Sequence, residues 1–410
     1  MKNITIPSGV WKIGESAFRR ATNLVSITIP ETVTTIDSYA FDGCSQLVNI
    51  DIPQSITSLG TGVFNGTEWE NNLPEGLMYI GKLVYKYIGT MPENTSIVIK
   101  DGTTRICGNA FLWGNNLISI SIPESVTSIG EYAFMYCGKL SSITLPSNIT
   151  TIEKGAFWSC YNLSSVFVER KTPINIYNVF SNVEQKTLYV PYGTKASYES
   201  AYIWKDFKII KEMKDDITIS SNGIATYSST NDLDFTDVAG LKAYIASGFS
   251  PSTGELTLTR VYKVPAGEGL LLKGDAGDYE IPYATTDMVY SNLLKGITTP
   301  TELSPTDGTY TNFILANGSH GIGFYTLSAS GNIAANKAYL QIPTHDLTSP
   351  AASLTLVFDD EANNEAGITG IVSYKAEQNN NNVYFNLRGQ AVSNPKKGLY
   401  IFNNKKVLIK

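Results

Sequence analysis

Two histidines, four cysteines and one short acidic run are the side chains in this sequence best suited to chemistry. His320 stands beside Ser319 in "GSHG", and His345 lies in "PTHDL". Neighbours on a strand point to opposite faces, and a triad gathers its members from distant segments, so Ser319–His320 does not read as a catalytic pair. Cys44, Cys107, Cys137 and Cys160 form no Cys-x-x-Cys pair, which argues against zinc. Asp232, Asp234 and Asp237 in "NDLDFTD" suggest calcium, yet the run lacks the EF-hand order, and a strand alternating polar with apolar gives the same letters. There is no P-loop, and no G-x-G-x-x-G closes a strand and opens a helix. No catalytic residue, metal or cofactor is expected, and the chain reads as a non-enzyme.

The bulk of the sequence points the same way. The 410 residues suffice for two or three domains. Charged residues are 17%, below the typical ~25%, and Gly, Thr, Ser, Asn and Tyr fill the gap, which favours strands and turns. A net charge of −6 argues against a nucleic-acid surface. No run of ~18 apolar residues is present to span a membrane. The opening "MKNITIPSGV" has no secretory apolar run and enters a repeat at once, so a mature or trimmed form of a longer protein is expected.

That repeat organises the first half. Pro7, Pro30 and Pro53 are 23 residues apart, as are Pro123 and Pro146. Phe18, Phe41 and Phe64 keep the spacing, and so do Phe111, Phe134, Phe157 and Phe180; the gap from Phe64 to Phe111 is 47. A fixed period with one apolar strand per unit predicts a leucine-rich-repeat solenoid. In "LVSITIP", Leu24, Ile27 and Ile29 point inward while Ser26 and Thr28 face water. Pro30, which has no N–H for the ladder, ends the strand. Val33, Ile36, Ala40 and Phe41 form the far wall. One coil cannot enclose its own apolar face, but stacked coils bury each other's. Cys44, Cys137 and Cys160 each follow a repeat Phe by three residues, an inward position. Cys137 and Cys160, ~5 Å apart at strand spacing, are near enough for a disulfide, but parallel Cβ directions would strain it, so free thiols are expected.

The phrase I-x-I-P-x-x-V-x-x-I-G-x-x-A-F-x-x-C-x-x-L, best seen in "ISIPESVTSIGEYAFMYCGKLSS" and "ITLPSNITTIEKGAFWSCYNLSS", resembles the BspA-like leucine-rich repeats of bacterial surface proteins. The segment 187–213, with a short helix, Trp204 and Phe207, resembles that family's closing unit and would cover the last coil. The resemblance implies adhesion to host or bacterial proteins at an extracellular or outer-surface location, and names no ligand.

The double-length gap, "GLMYIGKLVYKYIGTMPENTSIVIKDGTTRI", reads as two strands joined at Gly81-Lys82. Trp69, Tyr79, Tyr85 and Tyr87 gather around it, either packed on neighbouring coils or forming a contact surface. After Met213 the period ends, and short alternating strands between Gly, Pro, Asn and Ser predict an all-β, sandwich-like domain over 214–358. "GIATYSS", "VPAGEGLLLKG" and "NKAYLQIP" are similar to a β-domain accompanying surface proteins of the same bacterial group. "DDEANNEAG" and "EQNNNN" read as linkers within 359–410. The tail from Val383 predicts paired hairpins around Gly398 and Asn403-Asn404, and resembles C-terminal tails of secreted Bacteroidetes proteins, some of them sorting signals. Residues 378–410 hold six Lys/Arg and no acid, so the remainder carries −6 − 6 = −12. Such a tail suits an anionic envelope surface or sorting machinery, or is a small β-unit guarding its edges with Lys.

The expected fold is therefore mainly β: a solenoid of about eight coils with a helical cap over 1–213, the sandwich-like domain, and a small tail. Its outward sheet positions include Thr28, Asp51, Ser121, Thr144 and Phe167, with Trp113 and Trp158 in the turns as further candidate anchors. The leading functional expectation is recognition of a protein or glycan through this face. A carbohydrate module centred on the hairpin aromatics and an enzyme within 214–358 are the alternatives.

Overall fold

A computed structural model of the chain describes residues 2–318, 321–347 and 354–360, and beyond them the backbone of five strands between Val372 and Ile409. Ser319, His320 and nearly all of the expected linkers lie outside the described residues. Met1–Met213 and Lys214–Lys410 are two compact units.

In the first unit each coil contributes a short main-face strand, and six of them also give a two-residue strand on the opposite wall. Main-face neighbours pair in parallel with a shift of one repeat, Ile27 facing Ile4 on one side and Ile50 on the other. Nine such rungs are described, from Asn3–Thr5 to the first half of Ile209–Ile219, one more than expected because a strand follows the capping helix. The opposite wall repeats the pattern, Ile13 beside Ile36 beside Leu59. Leu24, Ile27, Ile29, Val33, Ile36, Ala40 and Phe41 are all buried, as the period requires.

The phenylalanines stack into two files. Phe18, Phe41 and Phe64 lie 5.3 and 5.6 Å apart, stacked in nearly parallel planes. Phe111, Phe134, Phe157 and Phe180 follow at 5.0, 5.1 and 5.2 Å. The inserted hairpin, Gly76–Ile80 paired with Leu83–Ile88, stands between the files and divides the core into two clusters. Tyr87 fills the missing Phe slot by its backbone, donating to Ala110 O as Phe111 donates to Ala133 O. The cap closes the second file: Trp204 and Phe207 meet Phe180 edge-on, and the Trp204 indole donates to Ile174 O at 2.7 Å.

Two further columns explain how a coil turns twice around each Phe. The residue two before it is left-handed in every coil with a Phe: Ser16, Tyr39, Gly62, Asn109, Tyr132, Gly155 and Asn178, at φ +53 to +65°. The residue two after it is left-handed as well: Arg20, Gly43, Gly66, Trp113, Tyr136, Ser159 and Asn182. L-residues resist this region, which is why Gly, Asn and Ser recur there. Gly155 is constrained twice, because a Cβ would sit 2.4 Å from the Tyr132 ring. Gly155→Ala is expected to cost about 1–3 kcal/mol, read as a lower unfolding midpoint. Adding Tyr132→Ser should restore part of the loss, since the two sites are in contact.

A sixth-residue column is also regular. Leu24, Leu47, Leu117, Leu140 and Leu163 each lie six residues after a repeat Phe and are buried. The last coil before the hairpin carries Glu70 there, and the last coil before the cap carries Lys186. Both charges are buried. Glu70 accepts from the Tyr85 phenol and from Lys86 Nζ at 3.0 Å. Lys186 Nζ donates to Leu163 O at 2.6 Å.

Among the described residues the second unit is β-structured apart from one 3-10 turn, Thr344–Asp346, and has more layers than a two-sheet sandwich. Its central sheet orders Ile224–Tyr227, Leu270–Gly274, Leu241–Ser250, Glu255–Val261 and Thr355–Phe358. Alternate residues of one strand enter different cores: Ala243 and Ile245 join one, Tyr244 and Ala246 the other. Leu270 and Leu272 likewise part from Leu271. One face is covered from residues 217–219 and Gly277–Pro282, the other by the sheet containing Phe313, Phe324 and Leu340. A sheet buried on both faces explains the unbroken apolar runs "AYIA" and "LLL". In the tail, Gly398–Phe402 and Lys405–Ile409 pair antiparallel.

Candidate functional site

The solvent side of the repeat ladder presents regular rows of outward side chains. Parallel pairing in register places Thr28 beside Asp51, Ser121 beside Val98, and Thr144 beside Phe167. Thr28, Asp51, Ser121 and Thr144 are exposed. Phe167 is half-buried, stacked on Tyr189 of the next rung at 4.4 Å and 11°. The row thus runs from small polar side chains into a two-ring aromatic patch. The parallel row beside it is polar and partly self-paired, with Ser26 Oγ donating to Asn3 Oδ1 and Ser119 Oγ to Ser96 Oγ, each at 2.8 Å.

Four members of the main row were missed by sequence reasoning, Thr5 and Lys211 at its ends and Val98 and Tyr189 within it. Val98, 78% exposed, sits in the coil that the insertion disguises. Tyr189 lies in "TLYVP", which reads as cap; its place 22 residues after Phe167 was the available signal.

The turns hold a second aromatic feature. Trp113, 61% exposed, lies flat on Tyr136, ring centroids 3.8 Å apart and planes within 5°. Both occupy the left-handed position after the Phe, an uncommon place for bulky residues. Trp158 is half-buried, tilted against Tyr132 with Lys154 over its ring.

The hairpin aromatics face inward. Tyr85 is buried and wedged with Trp69 against Phe64. Burial, then the Glu70 carboxylate, pushes its phenol far above the usual tyrosine range. Tyr85 has no face left for a partner. Trp69 is half-buried on the first core cluster, and Tyr79 and Tyr87 are half-buried on the second. Tyr79 also carries Lys100 Nζ 4.5 Å over its ring.

The chemistry-bearing side chains have structural partners. All four cysteines are free and buried. Cys44, Cys137 and Cys160 donate to the carbonyls of Phe18, Phe111 and Phe134 on the preceding coil. Burial raises all four thiols, Cys107 and Cys160 to about 12, which leaves them unreactive at neutral pH. Asp232 caps a turn, accepting from the N–H groups of Ala266 and Thr286, and Asp234 accepts from Thr236 N. Among the described residues no cluster of three or more His, Cys, Asp or Glu is placed to hold a metal. His345 is exposed, 3.4 Å from Asp346. Glu124 and Glu169, two coils apart, share a hydrogen bond; desolvation and then the Glu124 carboxylate push Glu169 up to about 7. Among the described residues no helix is long and apolar enough to cross a membrane.

Stacked 23-residue coils with in-register parallel strands and a ladder of aliphatic inward side chains define a β-solenoid of the leucine-rich-repeat class. More specifically, the chain belongs to the BspA type leucine rich repeat family, whose model matches in six copies over residues 1–93 and 89–206. No curated protein matches it. Among solved structures, a leucine-rich repeat protein from Eubacterium ventriosum ATCC 27560 is similar at 20% identity and TM-score 0.27, over 47% of this chain and 66% of that one. A leucine-rich repeat protein from Bacteroides ovatus ATCC 8483 shows 21% identity and TM-score 0.23 over 52% and 61%. A leucine rich cell surface protein from Faecalibacterium prausnitzii A2-165 shows 25% and 0.24 over 48% and 50%. This chain therefore spans half to two thirds of the length of these proteins.

Proposed function

We propose that this chain is a non-catalytic recognition protein of the extracellular or outer cell surface, which binds a host or bacterial protein through the outward row of its repeat sheet. The observation that carries this reading is the row itself: small polar positions at Thr28, Asp51, Ser121 and Thr144, interrupted by Val98 and followed by the stacked pair Phe167–Tyr189 before Lys211 closes the row. Regular hydroxyls offer many modest hydrogen bonds to an extended partner, and aromatic rings supply the anchor that concentrates binding energy. In the full chain, Phe167→Ala with Tyr189→Ala is expected to weaken partner capture about thirtyfold, roughly 2 kcal/mol. The Thr28→Ala change should stay within about twofold. Quantitative pull-down against host matrix proteins measures both, and equal losses from the two variants would remove the reading.

A glycan partner is the second reading, and it moves away from the hairpin, whose Tyr85 is enclosed. The exposed Trp113 face, backed by Tyr136, is the favouring feature, since a flat ring with an apolar face suits a sugar ring. Loss of polysaccharide binding in Trp113→Ala, with the Phe167–Tyr189 variant unaffected, would select it.

A further inference from the structure

The second unit contains a cleft of about 390 Å³ walled by strand ends of its central sheet. Three cations line it, Lys242, Arg260 and Lys273, in a chain whose net charge is −6. The carboxylate of Asp360, from the end of the neighbouring strand, already sits on two of them. Its Oδ2 accepts from Lys242 Nζ at 2.8 Å and lies 3.8 Å from Arg260 Nη1, while its Oδ1 accepts from the Tyr244 phenol at 2.9 Å. The rest of the wall mixes three glycines, Gly223, Gly240 and Gly274, and the Asn222 amide with apolar Ile224, Val238 and Leu241 and one further carboxylate, Asp275. Gly274 is fixed in this role, since a Cβ there would lie 2.6 Å from Gly240 O.

We propose that this cleft binds a small hydroxylated carboxylate of the uronic-acid sugar class, with Asp360 as an intramolecular stand-in for its carboxylate. The contacts of Asp360 show that Lys242 and the Tyr244 phenol hold a carboxylate by hydrogen bonds, the first of them charge-assisted, with Arg260 3.8 Å away. The volume lies at the small end of ligand sites, room for one ring and not for a chain. Exposed amide and backbone groups of the glycine wall match the hydroxyls such a ring carries. Because Asp360 competes for the same groups, the site is open in only part of the population, and apparent affinity falls by that fraction.

The test is calorimetric titration of the full chain with sodium D-glucuronate, with D-glucose and sodium sulfate as parallel arms. Glucuronate is expected to bind and glucose not to. Asp360→Asn should tighten glucuronate binding about tenfold by removing the competitor. Lys242→Met should weaken it about tenfold. Lys273→Met, directly across from Lys242 on the neighbouring strand and outside the Asp360 contacts, should also weaken it, so the outcome does not hang on one variant's folding; near-UV circular dichroism checks each fold. Three results overturn the proposal: no glucuronate binding to either the parent or Asp360→Asn, an affinity that Asp360→Asn leaves unchanged, or sulfate binding as tightly as glucuronate. None of these variants touches the repeat face, so failure here leaves the recognition reading standing.

Discussion

Replacing Phe134 with alanine should lower the stability of the repeat unit by about 3–5 kcal/mol. The ring is fully buried, lying between Phe111 at 5.0 Å and Phe157 at 5.1 Å in nearly parallel planes. Its neighbours cannot close the gap, because the strand ladder of the opposite wall, Ile106 beside Ile129 beside Ile152, fixes the distance from coil to coil. The loss therefore combines the transfer of a phenyl group to water with a cavity that stays open. All five tryptophans precede Met213, so their fluorescence follows this unit alone during urea unfolding. The matching change at Phe18, which has one stacking neighbour and is half exposed, should cost markedly less. Equal costs at the two positions would mean that the coils share no common interior.

The second large effect runs the other way. Lys186→Met should stabilise the unit by about 1–4 kcal/mol, towards the lower end because Leu163 O loses its donor. Lys186 occupies the buried sixth-residue column that is leucine in five other coils. Desolvation lowers its pKa below the ordinary 10.5, against the opposing pull of Cys160 and Glu184. Between that lowered value and 10.5 the unfolded chain binds more protons than the folded one, so parent stability rises with pH across the interval. Methionine has no such dependence. The advantage of Lys186→Met should therefore be greatest below the interval and shrink as pH rises through it. Fluorescence-monitored urea midpoints from neutral pH to about 10 measure the difference; a variant no more stable than its parent would refute the argument.

Much of the first unit was legible because its constraint is periodic. Ile27, Phe41 and Leu24 recur at fixed phase, and a solenoid leaves inward positions little choice. The left-handed columns were not legible, because Ser16, Tyr39, Asn109 and Tyr132 share a backbone angle rather than a side-chain type. The hairpin aromatics were readable as residues but not as directions: Tyr85 turns inward because Glu70, which also accepts from Lys86, awaits it in a column that elsewhere holds leucine. In the second unit, "AYIA" and "LLL" carried the signal of a doubly covered sheet, yet short apolar runs fit several architectures until their partners are known. The cleft of Lys242, Arg260 and Lys273 was invisible in sequence, since its cations come from different strands of the central sheet.

The hairpin that parts the two phenylalanine files has a bearing on how such a protein can change in length. Each block of coils is sealed by something that is not a coil, Tyr85 with Glu70 on one flank and Trp204 with Phe207 on the other. A turn inserted in the middle of either block meets only copies of its own neighbours and finds its contacts ready-made. Reach is thus adjustable in steps of one rung, separately on the two sides of the hairpin, without redesigning either seal.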